Sequence, residues 1–225
     1  MLRATLIDLD GTLVDTEREN AESVARALSR HGRPMSERER AFVVGHGWRE
    51  IYSLIEHNQP SGFSFAELLS AAAAEKADLL RAQGLRVLPG AREATLRLAA
   101  RGPVGCVTGS SREEAELVLE LAGLRALLDC LITTEDVACG KPQPDGFLKG
   151  AERLGVEPAR CLAVEDSQAG IAAARAAGMR CVAVQAGNFL GQDQTAADLI
   201  VPTLHDLDEA LLDRLALAPA RRGME

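Results

Sequence analysis

The chain has 225 residues, 47% of them hydrophobic and 26% charged, with a formal net charge of -8 and a pI near 5.2. This is enough apolar chain for a large core, and it fits one domain plus an insertion. The acidic balance gives no electrostatic footprint for nucleic acid or an anionic membrane. No apolar stretch approaches the ~20 residues of a bilayer span, and the start of the chain lacks the order of a signal peptide. The expected partner is therefore a small molecule, the expected location the cytoplasm, and the expected state a monomer or homodimer.

The first predicted element is the apolar run Ala4 to Ile7, a strand that leads into Asp8-Leu9-Asp10-Gly11-Thr12-Leu13-Val14-Asp15. Side chains two apart on a strand share a face, so Asp8 and Asp10 can enter one site where the strand ends, and Gly11 lets the chain turn away. One such carboxylate can attack as a nucleophile while the other shuttles protons, with a hard cation such as Mg²⁺ relieving their charge. A calcium loop is the competing reading. It would need further oxygen ligands at alternate positions and a Glu at its twelfth, where Leu13 and Val14 interrupt.

From residue 17 to 84 strand-like runs nearly vanish and helix formers dominate, as in Glu19 to Arg30 and the Ala-rich Phe65 to Gln83. Gly32-Arg33-Pro34 and Asn58-Gln59-Pro60-Ser61-Gly62 break the segment into helical hairpins. It reads as a cap over an active site, or else as a helical layer with no part in catalysis. Substrate choice is expected in Gly45-His46-Gly47-Trp48-Arg49-Glu50, where Trp48 offers a stacking face and Arg49 an anion-binding fork. Equally, Trp48 can anchor the cap core and Arg49 be a surface charge. Lys76, in Ala-Glu-Lys-Ala, reads as exposed to solvent.

Beyond Gly90, apolar runs return at Val104 to Val107, Cys130 to Ile132, Leu162 to Val164 and Cys181 to Val184. Between them lie the helical segments Glu113 to Ala122, Pro144 to Leu154 and Ala169 to Ala177, the last two ended by Gly155 and Gly178. The alternation predicts an α/β fold: a Rossmann-like, doubly wound parallel sheet core (residues 1–16 and 85–225) with an inserted α-helical cap domain (17–84). Ligands are expected at the strand C-terminal ends. The cysteines, Cys106, Cys130, Cys139, Cys161 and Cys181, are odd in number and too widely spaced for a metal clip. They read as reduced, with Cys106, Cys161 and Cys181 packed as small hydrophobes. The tail after Leu217 reads as mobile.

Three more elements fall at strand C-termini. Thr108, before Gly109-Ser110-Ser111, offers an anion a hydroxyl and helix-start N–H groups, or simply caps the helix. Lys141, in Gly140-Lys141-Pro142-Gln143-Pro144, is a positioned cation or a solvated loop lysine. Glu165 and Asp166 read as hard-metal ligands or as acidic caps favoured by the helix dipole.

Jointly, Asp8-Leu9-Asp10-Gly11-Thr12, Thr108, Lys141 and Glu165-Asp166-Ser167-Gln168-Ala169-Gly170-Ile171 closely resemble the haloacid dehalogenase superfamily of phosphotransferases, across essentially the sheet domain and the position of the insertion. The resemblance implies that Asp8 forms an aspartyl-phosphate and that Asp10 protonates the leaving oxygen and later activates water. It implies Mg²⁺ held by Asp8, the Asp10 main-chain carbonyl and Asp166, with Glu165 orienting or sharing the ion, and phosphoryl oxygens bound by Thr108 and Lys141. Thr12, Gly109, Ser110, Asn20, His46, Trp48 and Arg49 are the candidate substrate contacts. Asp10 argues for phosphate-ester chemistry, because dehalogenating and phosphonate-cleaving members lack it. The Glu165 to Ile171 motif is typical of β-phosphoglucomutase-like mutases but shared by sugar-phosphate phosphatases, and Asn20 stands where those mutases carry a cap-hinge histidine. The expected activity is Mg²⁺-dependent hydrolysis of a small phosphorylated metabolite, a sugar phosphate or another such as phosphoglycolate. A phosphosugar mutase is the alternative, and a noncatalytic binding module is disfavoured by the intact catalytic set.

Overall fold

The computed structural model describes residues 2–44 and 46–217, in two compact units: one runs to Asp15 and resumes at Arg86, and the other is Thr16–Leu85. Gly45 and the tail after Leu217, both read above, lie outside the described residues. The strands are β1 (Ala4–Ile7), β2 (Val14–Asp15), β3 (Arg86–Val87), β4 (Val104–Val107), β5 (Cys130–Ile132), β6 (Cys161–Glu165), β7 (Arg180–Val184) and β8 (Leu199–Val201). Helices α1 (Glu17–Arg30), α2 (Glu37–Val43), α3 (Trp48–Asn58) and α4 (Phe65–Gln83) build the second unit. Helices α5 (Ala91–Ala99), α6 (Arg112–Leu121), α7 (Asp145–Leu154), α8 (Gln168–Ala176) and α9 (Glu209–Leu217) belong to the first.

The main sheet has the order β5-β4-β1-β6-β7-β8, with every neighbouring pair parallel. Every residue of β1, β4, β5 and β6 is buried, which is why these strands read as unbroken apolar runs rather than alternating ones. Leu6, Val107, Phe147, Ile171 and Cys181 sit in one core, where each fully buried large side chain contributes about 1.5–3 kcal/mol. The chain winds outward from β1 to β5, then returns to β6 and winds the other way. That reversal opens a crevice at the C-terminal ends of β1 and β6. Two short elements escape sequence reading: β8, and an antiparallel pairing of β2 with β3 that joins Val14 to Val87 and Asp15 to Arg86 where the chain leaves and re-enters this unit. Arg86 closes the pair with a 2.8 Å ion pair to Asp15.

The helical unit has its own core of Val24, Leu28, Val43, Ile51, Ile55, Leu68 and Ala72. Ser36 and Ser64 open α2 and α4 as capping boxes with Glu39 and Glu67. The Gly32-Arg33-Pro34 break holds a buried bidentate ion pair: Arg33 donates to Glu39 at 2.6 and 3.1 Å and to the Ile55 and Gln59 carbonyls. Burial raises the Glu39 carboxyl, but donors from Arg33, Ser36 and Asn58 outweigh it and pull its pKa down to about 2. Lys76 is not exposed as expected; it is 2% exposed and donates to Thr16 Oγ1 at 3.2 Å, with buried Glu75 beside it paired to Arg30. The buried set Leu68, Ala72, Glu75, Lys76, Leu79 and Leu80 follows the i, i+3, i+4 spacing of one helix face, and that periodicity carries Lys76 inward.

Candidate active site

The crevice gathers residues from three strand ends. Asp8 directly follows β1, its N–H bonded to the Val164 carbonyl at 2.9 Å; Thr108 directly follows β4, its N–H bonded to the Ile132 carbonyl at 2.9 Å. Glu165 ends β6 and Asp166 follows it. Parallel register thus delivers the four groups to one edge of the sheet. Gly11, at φ +86°, turns the chain away after Asp10, and an added Cβ would overlap the Asp166 carboxylate.

Lys141 reaches into the cluster from the loop before α7. Its ammonium donates to Asp8 Oδ1, to Glu165 Oε1 at 2.6 Å and to the Val107 carbonyl at 3.1 Å, using all three of its N–H groups. It also lies 5.5 Å from the centroid of the buried Phe147 ring. It is a positioned cation rather than a solvated loop lysine. Glu165 is fully buried, and its Oε2 accepts from the Asp166 N–H, the Ser167 N–H and the Ser167 hydroxyl at 2.9–3.0 Å. Its carboxylate thus meets Lys141 through one oxygen and the start of α8 through the other.

The electrostatics are unbalanced. Burial pushes the Asp8 carboxyl above the usual carboxylate range against the pull of Lys141, with Glu165 and Asp10 adding to the rise. Asp166 is raised by burial and by the charges of Glu165 and Asp8. Burial works against the charge of Lys141, but Asp8 and Glu165 hold it firmly protonated. Asp8, Glu165 and Asp166 can each bring an oxygen within 4.8 Å of the others, so three buried carboxylates face one ammonium. Hard oxygen donors with excess negative charge fit a divalent cation such as Mg²⁺.

The remaining expected residues sort by environment. Asp10 turns toward Ser110, whose hydroxyl donates to Asp10 Oδ2 at 3.0 Å. The Thr108 hydroxyl accepts the Ser110 N–H at 3.0 Å, and Ser111, not Thr108, caps α6. Gly109 is exposed at this rim. Thr12, expected as a substrate contact, is fully buried and donates to Asp166 Oδ1 at 3.1 Å, because the turn at Gly11 folds it beneath the acids. In the helical unit, Asn20 is half-buried in the first turn of α1, and Trp48 packs against the core as its anchor. Arg49 is exposed over the Phe65 ring, and exposed His46 stacks on Phe42. The cysteines are free thiols, and burial holds Cys106, Cys130, Cys161 and Cys181 well above their usual pKa, away from nucleophile or ligand chemistry. Two site neighbours were not anticipated, Gly187 and Gln194. Both lie in the polar loop after β7, where composition gives no signal beyond a turn.

Comparison with known proteins places the chain among enzymes. A family model described as haloacid dehalogenase-like hydrolase matches residues 2–178. The chain is similar to validoxylamine A 7'-phosphate phosphatase of Streptomyces hygroscopicus subsp. limoneus, 38% identical over 81% of this chain and 85% of that one. It is also similar to fructose-1-phosphate phosphatase YqaB of Escherichia coli (strain K12), 34% identical over 80% and 95%. Among solved structures, CbbY from Rhodobacter sphaeroides in complex with phosphate superposes with a TM-score of 0.84 at 25% identity, covering 95% of this chain and 100% of that one.

Proposed function

The chain belongs to the haloacid dehalogenase-like hydrolases, and on that premise we propose that it is a phosphatase of a small phosphorylated metabolite, a sugar phosphate, working through a covalent phosphate on Asp8. The observation that carries this reading is the three-way grip of Lys141 on Asp8, Glu165 and the Val107 carbonyl, which fixes a carboxylate beside a cation at the crevice.

In the first step an Asp8 oxygen attacks phosphorus, the bond to the ester oxygen breaks, and Asp10 gives that oxygen a proton. In the second step Asp10 takes a proton from water, whose oxygen attacks phosphorus; the Asp8–phosphorus bond breaks, leaving inorganic phosphate and the Asp8 carboxylate. Ser110 orients Asp10, the Thr108 hydroxyl offers a donor to the phosphoryl oxygens, and Lys141 sets its positive charge beside them. Mg²⁺, held by Asp8, Asp166 and the Asp10 main-chain carbonyl, would neutralise charge on the transferring group when bound. The helical unit is assigned the role of a cap that selects substrate, with exposed Arg49 and His46 as its polar contacts. Asn20, where related mutases carry histidine, supports transfer to water over transfer to a second sugar hydroxyl.

The test is Mg²⁺-dependent phosphate release from fructose 1-phosphate, other sugar phosphates and phosphoglycolate, with Asp8→Asn as control and β-glucose 1-phosphate interconversion followed in parallel. Release that the substitution abolishes is expected. Isomerisation without release moves the assignment to a mutase, and silence in both assays overturns the catalytic reading.

A further inference from the structure

Gln194 lies in the loop between β7 and β8, 5% exposed, and its side-chain amide spends both hydrogens on main-chain carbonyls outside that loop. Nε2 donates to the Asp166 carbonyl at 2.6 Å and to the Val184 carbonyl at 2.9 Å. The first acceptor belongs to a residue of the acidic cluster and the second ends β7, so one side chain ties the candidate metal-binding turn to the next strand. The same loop meets the site at two more points. Gln192 Oε1 accepts the Gln168 N–H at 3.0 Å, at the start of α8, and Gly187 abuts Gly11 so closely that a Cβ would overlap the Gly11 carbonyl.

A buried amide with two geometrically demanding acceptors fixes backbone direction more than it adds stability. The carbonyl it holds is that of Asp166, whose carboxylate must face Asp8 for the two to share a cation. Thr12 steadies the carboxylate itself, through Oδ1. Side chain and main chain of Asp166 are therefore restrained by different residues from different loops.

We propose that Gln194 is a positioning residue: it holds the Asp166 main chain so that its carboxylate faces Asp8, and thereby sets the affinity of the site for a divalent cation. The proposal rests on the phosphatase reading above. Partners that orient a metal ligand typically change metal affinity 10- to 100-fold when removed.

The test is calorimetric titration of Mg²⁺ alone into substrate-free protein, for the native chain, Gln194→Met and Gln192→Ala. Gln194→Met keeps the volume and removes the amide; Gln192→Ala loosens the same loop without touching the Asp166 carbonyl. Gln194→Met is expected to bind Mg²⁺ at least 10-fold more weakly, with substrate KM at saturating Mg²⁺ little changed, while Gln192→Ala binds like the native chain. Native affinity in Gln194→Met, or equal weakening in both variants, overturns the proposal. Should Gln194→Met fail to fold, Gln194→Asn, whose amide is one methylene short, is read against the same criteria. Failure of the native chain itself to bind Mg²⁺ instead brings down the metal-dependent reading on which the proposal stands, a result distinct from native binding that the variant shares.

Discussion

The Lys141 ammonium and the Glu165 carboxylate meet inside the protein at 2.6 Å, and the same ammonium holds Asp8. Lys141 is thus the counter-charge of the acidic cluster before it meets any phosphate. Replacing it by Met leaves three buried carboxylates with no cation. Urea unfolding of Lys141→Met without metal is expected to show a loss of roughly 3 kcal/mol, the scale for stranding buried charge. Mg²⁺ should raise the melting temperature of this variant more than that of the native chain, while phosphate release falls by about 10³-fold.

Asp8→Asn separates chemistry from folding. The substitution removes the attacking carboxylate at nearly constant shape, and phosphate release in steady-state assays should fall by roughly 10⁴-fold or more. Burial already opposes the charge of Asp8, so the melting temperature of the metal-free variant at pH 8 should not fall below that of the native chain.

Gly187→Ala places a methyl group against the backbone of Gly11. Relief requires the loop after β7 or the turn after Asp10 to shift, at a cost of about 1–3 kcal/mol. The expected outcome is a lower midpoint in urea together with a loss of phosphate release greater than the stability loss alone predicts at 25 °C. An unchanged midpoint and native turnover would show that the contact is not required.

Acid should weaken the helical unit through Glu39. Its folded pKa of about 2 lies below its ordinary value of 4.5, so the stabilisation is complete above pH 4.5 and is lost as pH falls from 4.5 toward 2. The full effect is on the order of 3 kcal/mol. Unfolding free energies measured between pH 5 and 3 should fall more steeply for the native chain than for Glu39→Gln, which starts lower and has no carboxylate to protonate.

The parts of this molecule legible in its sequence are those where one physical cause dominates. Strands β1, β4 and β5 read to the residue because burial on both faces leaves them unbroken apolar runs, and the meeting of Asp8, Thr108, Lys141 and Asp166 at one sheet edge was legible because they adjoin the ends of such runs or precede a helix. Strand β8 is a three-residue edge strand with Ile200 exposed, and β2 and β3 have two residues each, too short for any period. Lys76 reads as exposed by residue type alone, whereas the helix face that its spacing assigns carries it inward. Gln194 was invisible for a different reason: a glutamine in a polar loop carries no pattern, and only the fold brings its amide to the Asp166 carbonyl.

The pairing of Val14 with Val87 bears on how the central sheet can assemble. Strands β1 and β4 are adjacent in the sheet, yet Thr5 meets Val104 only after a loop of about 100 residues has closed, which makes this a slow, non-local contact. Once β2 and β3 are zipped, the helical segment becomes a side branch and the remaining path between those partners is about 30 residues. By the logarithmic cost of loop closure, that short circuit lowers the entropic barrier to joining β1 and β4 by about 1 kcal/mol. Four residues of strand thus let the sheet assemble with the topology of a much shorter chain, whatever length of helix is spliced between them.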